Sequence, residues 1–392
     1  MFTNATIERI RATIRDSIGR NELAGCNLLV IKDGKEALYC EDGLADREAG
    51  LPIRRDTLFR IYSMSKPVTA AAAMILLERG VIDLFDPVSK YLPGFRNQQV
   101  SEGDGLVPVH REVTLKDLLS MTSGLVYGGP GRAGQETEAV FREIDERLLG
   151  DRPMTTQEIA NRFGECALQF QPGRSWQYGT STDVMGAVIE VASGMRFGEF
   201  LEKELFAPLG MRDTGFWVPD GQRHQLANTY ATAENGELEL FAGNDLGIIH
   251  RMDRPPAFES GGAGLVSTID DYARFARMLM NGGELDGVRI LRPKTVDFLT
   301  SCTLTEEQQR AFEAWHPNIG YSYGNFMRVM TDPGKAGGLG SAGEYGWDGW
   351  LGTYFCNSPK DRLTILLMMQ KKDAGTTPLA RKLRNLIFAS LD

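Results

Sequence analysis

The sequence predicts an α/β plus α fold: one antiparallel sheet assembled from both chain ends and flanked by helices, with a mainly helical domain inserted between them. Three patterns carry this. A helix followed by a hairpin opens the chain, a hairpin followed by a helix closes it, and the long middle shows helical spacing and loops. On this reading residues 1–62 and 241–392 form the α/β part and residues 63–240 the mainly helical part. The 392 residues correspond to roughly two or three domain-sized units.

Taken in order, Ile7, Ile10, Ile14 and Ile18 recur three and four residues apart, which predicts an amphipathic helix over 5–20. Cys26–Lys32 and Glu36–Cys40 are short, partly apolar runs joined across Asp33-Gly34, a strong hairpin signal. Leu58–Ile61 fits a further short strand. Ser65–Glu78 predicts a helix, with Pro67 in the first turn, where its missing N–H is harmless, and Gly80 closing it. Leu115–Leu119, Thr156–Phe163, Asp183–Ala192, Phe197–Leu205 and Ile269–Met280 read as further helices. Gly128 to Gly134 is expected to be an irregular, mobile loop. Gly352–Asn357 and Leu363–Met369, with a turn at Ser358–Asp361, predict the second hairpin, and Pro378–Ser390 the last helix.

Charge and cysteine usage narrow the function. A net charge of −9 and a pI near 5.2 argue against a nucleic-acid surface, which needs a basic footprint. The five cysteines, Cys26, Cys40, Cys166, Cys302 and Cys356, form no CxxC pair and signal neither a disulfide framework nor a zinc knuckle. Buried, reduced thiols in a cytoplasmic protein are the expectation. Charges at Glu8, Arg9, Arg11, Arg15 and Asp16 interrupt the first helix, unlike an export signal. The longest apolar tracts fall far short of the ~20 residues that cross a bilayer, so no membrane partner is expected. The oligomeric state is left open.

Three segments carry chemistry. In Arg60-Ile61-Tyr62-Ser63-Met64-Ser65-Lys66-Pro67, Ser63 and Lys66 lie three apart at a helix start, so the amine can reach the hydroxyl. A desolvated lysine can activate a serine as a nucleophile. Alone, the segment is better explained as a Ser N-cap and a surface lysine. In Gln177-Tyr178-Gly179-Thr180-Ser181, Tyr178 offers a phenol as general base and then general acid, or is an ordinary buried tyrosine. In Tyr345-Gly346-Trp347-Asp348-Gly349-Trp350-Leu351-Gly352, glycines beside a strand permit close approach of a backbone or ligand. Main-chain N–H groups there can polarise an acyl oxygen. Alone, the segment is better explained as an edge strand with a glycine kink.

The three segments in this order resemble the serine β-lactamase and penicillin-binding superfamily, nearest its class C-like branch, which includes the family VIII carboxylesterases. Leu118-Leu119-Ser120-Met121-Thr122-Ser123-Gly124-Leu125, Pro208-Leu209-Gly210-Met211 and Ser260-Gly261-Gly262-Ala263-Gly264-Leu265 fit the same pattern. The resemblance implies a β-lactamase-like fold and an acyl-enzyme on Ser63, with Lys66 and Tyr178 managing the proton. It implies an oxyanion hole from the Ser63 and Trp350 N–H groups, and substrate contacts from Tyr127, Trp347, Asp348 and Gly349. It implies no cofactor and no metal.

Two departures bear on the substrate. Trp347 and Asp348 stand where most β-lactamases and transpeptidases of the superfamily have Lys-Thr of Lys-Thr-Gly, and Thr180 stands where class C enzymes have asparagine. A tryptophan offers apolar area in place of a cation, and Asp348, pointing inward, would repel an anion. The expected substrate is therefore a small neutral carboxylic ester with a short acyl chain. A β-lactamase, a D-amino-acid amidase or peptidase, an acyltransferase and a non-catalytic binding homologue are the rivals.

Other signals lead elsewhere less well. Gly338-Leu339-Gly340-Ser341-Ala342-Gly343 spells GxGxxG but lacks the helix a dinucleotide site needs. No Gly-x-Ser-x-Gly elbow occurs. His110, His224, His250 and His316 show no paired ligand spacing.

Overall fold

The computed structural model describes residues 2–103, 105–315 and 318–391, so His316 lies outside the described residues. Helix α1 (Asn4–Gly19) leads into strands β1 (Gly25–Lys32), β2 (Lys35–Asp46) and β3 (Leu51–Pro52). Asp33 and Gly34 both take positive φ, 54° and 74°, as the hairpin turn between β1 and β2 requires. From the other chain end come β4 (Tyr321–Gly324), β5 (Met327–Met330), β6 (Tyr345–Asp348), β7 (Tyr354–Ser358) and β8 (Leu363–Met369). These eight strands form one sheet in the order β4-β5-β6-β7-β8-β1-β2-β3, every neighbouring pair antiparallel. The two chain ends meet at β8 and β1, where Leu28 faces Leu367 and Val30 faces Ile365.

Alternation along the strands divides the core. Leu28, Val30, Ile365 and Leu367 pack with Ile10 and Ile14 of α1 and with Leu383 and Ile387 of the last helix, Pro378–Phe388. Leu29, Phe355, Leu366 and Met368 point the other way, into a second, larger cluster. Into it pack α2 (Ser65–Glu78), α3 (Leu115–Leu119), α4 (Arg132–Arg147), α5 (Thr156–Glu165), α6 (Ser181–Ser193) and α7 (Ile269–Met280). Helix α2 is buried on every side from Ser65 to Leu76, with Ala70 to Ala73 fully buried, as in a helix enclosed by the core. Capping boxes at Thr114/Asp117 and Thr155/Glu158 start α3 and α5.

The structure departs from the sequence expectation in several places. Arg132, Ala133 and Gly134 are the first turn of α4, not loop. Gly134 has no room for a side chain against the Gly129 backbone, so this glycine serves packing rather than mobility. Strands β4 and β5 were not anticipated. Their turn is Asn325-Phe326, both with positive φ of 49° and 64°, and a phenylalanine there carries no turn signal. Strand β6 sits between β5 and β7 rather than at an edge. The inserted region contains two small hairpins besides its helices. Cys302 is exposed, while the other four cysteines are buried, and all five are free. Among the described residues no helix is long and apolar enough to cross a membrane.

Candidate active site

Ser63 sits in the single 3-10 turn Tyr62–Met64 that runs into α2. One turn further, Lys66 is fully buried. Its Nζ lies 3.1 Å from Ser63 Oγ, 3.2 Å from Tyr127 Oη and 2.8 Å from the Gly262 carbonyl oxygen. The Tyr178 hydroxyl donates to Ser63 Oγ at 2.8 Å. The structure therefore brings together the serine, the lysine and the tyrosine from three distant segments.

Each segment is pinned locally. The Gln177 N–H bonds the Met121 carbonyl at 3.0 Å, and the Ser123 and Ser181 hydroxyls meet at 2.9 Å. The phrase beginning at Leu118 is thus the cradle of Tyr178. At the end of β6, Gly349 lies against the Ile61 carbonyl too closely for any side chain, and Thr353 Oγ1 donates to the same oxygen at 3.1 Å. The close approach that Gly349 permits is to the backbone just before Ser63. Trp350 is held by its indole N–H to Asp373 at 2.7 Å and by the Ala374 N–H to its carbonyl at 2.9 Å.

Burial sets the protonation states. It pushes Lys66 down to about 7, against the pull of Asp183 and Asp348. It pushes the Tyr178 phenol up, although Ser63 and Trp347 hydrogen bonds oppose this, and holds Tyr127 well above the ordinary phenol range. Desolvation penalises the charged form in every case. Near neutral pH the two phenols keep their protons and the amine is partly free base.

A cavity of about 560 Å³ opens in front of these groups. Ser63, Tyr178, Trp347, Asp348 and Trp350 line it, with Trp315 and Arg328. Two other cavities, of about 500 and 1010 Å³, hold none of the serine, lysine and tyrosine. Trp347 is buried; it donates its indole N–H to Tyr178 Oη at 3.2 Å and stacks on that ring. Tyr127 and Gly349 are not among the cavity walls. Tyr127 instead stands behind Lys66, and Gly349 packs on Ile61. Thr180 is fully buried. Asp348 does not present a bare negative charge: Arg328 Nη1 lies 2.6 Å from its Oδ2, and the Thr376 hydroxyl bonds the same oxygen.

Sequence reasoning missed the group beneath Lys66. Asp183, in the first turn of α6, is buried. Its Oδ1 accepts from the Ser260 hydroxyl at 2.5 Å and from the Gly262 N–H at 3.0 Å. It thereby fixes the residue whose carbonyl holds Lys66. Burial raises its pKa, opposed first by Lys66. A carboxylate immediately before the apolar run Val184–Val188 was the available signal. Among the described residues no group of three or more His, Cys, Asp or Glu could hold a metal ion. Gly338 to Gly343 is a loop with no helix after it.

Comparison with known proteins places the family and the fold. The family model named Beta-lactamase matches residues 10–388. Protein Rv1367c of Mycobacterium tuberculosis is 33% identical over 373 residues, covering 92% of this chain and 89% of its own. Esterase EstB of Burkholderia gladioli is 30% identical over 391 residues, covering 97% and 95%. The solved structure of EstCE1 superposes with a TM-score of 0.83 at 24% identity, covering 98% of this chain and 99% of that one.

Proposed function

The chain belongs to the Beta-lactamase family, and from that premise we propose that it is a carboxylesterase of the family VIII type, cleaving small neutral esters with short acyl groups. The observation that carries the reading is the double approach to Ser63 Oγ, by the Lys66 amine at 3.1 Å and the Tyr178 hydroxyl at 2.8 Å. Lys66, brought down to about 7 by burial, is the base. As free amine it takes the Ser63 proton while Oγ attacks the ester carbonyl carbon. The Ser63 and Trp350 N–H groups hold the oxyanion. Tyr178 gives its proton to the leaving alkoxide and regains one from the Lys66 ammonium. Water then attacks the acyl-enzyme while Lys66 accepts its proton, and as the intermediate collapses Lys66 returns that proton to Ser63 Oγ, releasing the acid and restoring the serine.

A relative named as an esterase supports the choice of substrate, as does the tryptophan at 347 in place of a cation. Wild type treated with a serine-reactive phosphonate is expected to carry one adduct, at Ser63, by mass spectrometry. An adduct persisting on Ser63→Ala overturns the assignment. Turnover of a short-chain aryl ester is expected to exceed that of a chromogenic cephalosporin, and the reverse order makes the enzyme a β-lactamase. EstCE1 is a hydrolase with promiscuous acyltransferase activity, which favours one second reading: an added alcohol competes with water for the acyl group. Ester exchange in product analysis tests it. The free thiols suit a cytoplasmic site of action.

A further inference from the structure

Resting on the ester-hydrolase reading above, we propose that Asp348 is a specificity-determining residue: paired with Arg328, it keeps the cleft wall beside Ser63 electrically neutral, so the enzyme selects uncharged esters over carboxylate-bearing ones.

Arg328 on β5 and Asp348 at the end of β6 both line the cavity that holds Ser63 and Tyr178. Their side chains are 14% and 18% exposed. Arg328 uses both arms of its guanidinium, one on Asp348 at 2.6 Å and one on the Thr376 hydroxyl at 3.0 Å. It is also walled in by aromatic rings, with its central carbon 5.5 Å from the Trp347 centroid, 5.6 Å from Tyr354 and 5.8 Å from Tyr321. The rings hold the guanidinium in place whether or not Asp348 is charged. Removing the carboxylate's charge therefore unmasks a cation at the cleft wall instead of letting it swing into solvent.

The other charges facing this cavity do not substitute for the pair. Arg384 is bound to the buried Glu344 at 2.7 Å. Asp373 lies 3.2 Å from Lys372. Arg381 is exposed, with an arm on the Thr376 carbonyl at 2.9 Å, where solvent screens it. A largely buried charge acts on a bound ion with much less screening, so the Arg328–Asp348 balance decides the sign of the wall.

The test compares 4-nitrophenyl hemisuccinate, which carries a carboxylate, with 4-nitrophenyl levulinate, a neutral ester of similar length. The ratio of kcat/KM, anionic over neutral, is expected to rise about tenfold in Asp348→Asn, carried by KM. It is expected to fall by a similar factor in Arg328→Gln, and to return near the wild-type value when both changes are combined. An Asp348→Asn variant that turns over the neutral ester with an unchanged ratio overturns the inference. So does a rise that survives in the double variant, since the cation is then not Arg328. Should Asp348→Asn fail to fold, an unmoved ratio in Arg328→Gln is decisive against it. A wild type inactive on the neutral ester overturns the esterase reading itself.

Discussion

Tyr62, the residue before the serine, adopts φ 42°, a left-handed conformation that costs a bulky side chain about 1–3 kcal/mol. Its ring is buried and packs on Trp350 at 5.0 Å between centroids, so packing supports the strain and aims Ser63 at the cleft. The next question at this scale is which group takes the serine's proton. Lys66 is near 7 because burial outweighs Asp183 and Asp348. Below that value the amine is protonated and cannot accept, so kcat/KM for a neutral ester is expected to rise with pH on the acid side and level off above about 7. Tyr178, pushed upward by burial, ionises too late to produce that limb. A limb centred near the ordinary lysine value would show that Lys66 is not the base. Asp183 acts through Gly262 and through its charge. In Asp183→Asn the lost charge no longer favours the ammonium, so the limb is expected at lower pH than in wild type. The loosened Gly262 carbonyl is expected to lower kcat by up to about a hundredfold. A purely scaffolding Asp183 would reduce the melting temperature and leave the limb where it was.

Elements explain why these side chains converge, and a single glycine tests the account. Gly349 joins the end of β6 to the Ile61 backbone, where a Cβ would collide with that carbonyl and with Thr353. Gly349→Ala is expected to cost about 1–3 kcal/mol and to depress kcat more than KM, because the shift moves Trp350 away from Ser63. Thermal melting together with steady-state kinetics reads both; unchanged kcat would mean the two segments are not coupled. The elements that bear the chemistry were legible in the sequence because local signals agree there. Ser-x-x-Lys opens a helix that spans Ser65–Glu78 as expected, and Asp33-Gly34 turns a hairpin. What stayed hidden depends on distant contacts. Asn325 accepts its unusual φ while its amide caps the carbonyls of Phe298 and Leu299, and the Phe326 N–H finds Leu119. Gly324-Asn325 is a weak local turn signal, and nothing local announces the second positive φ at Phe326. In the same way, strand pairing sets Arg328 opposite Gly346, two residues from Asp348 on β6, and only that pairing brings the guanidinium to the carboxylate, so the carboxylate read alone suggested a repulsive charge that the neighbouring strand cancels.

At the scale of the whole molecule, the cleft exists only when the sheet and the inserted region are both in place. Ser63 enters from the turn that leads into α2, Lys66 from the first turn of α2, Tyr178 from the loop just before α6 and Trp347 from the sheet. The buried cluster that surrounds them runs from Leu29 and Leu366 in the sheet through Val68 and Leu118 to Val188 and Phe275 without a break. Phe59–Arg60, just before the insertion, pairs with Val266–Ser267 beyond it. The division expected at residues 62/63 and 240/241 would thus cut through one continuous core. Chains of this length commonly unfold through intermediates, which makes a contrary expectation sharp. Calorimetry is expected to record one endotherm with equal van't Hoff and calorimetric enthalpies, and ester turnover is expected to vanish over the same temperature range. Two resolved endotherms, with activity lost at the first, would mean that the helical region melts away from a sheet that stands without it. The shared cluster would then contribute less to stability than its continuity implies.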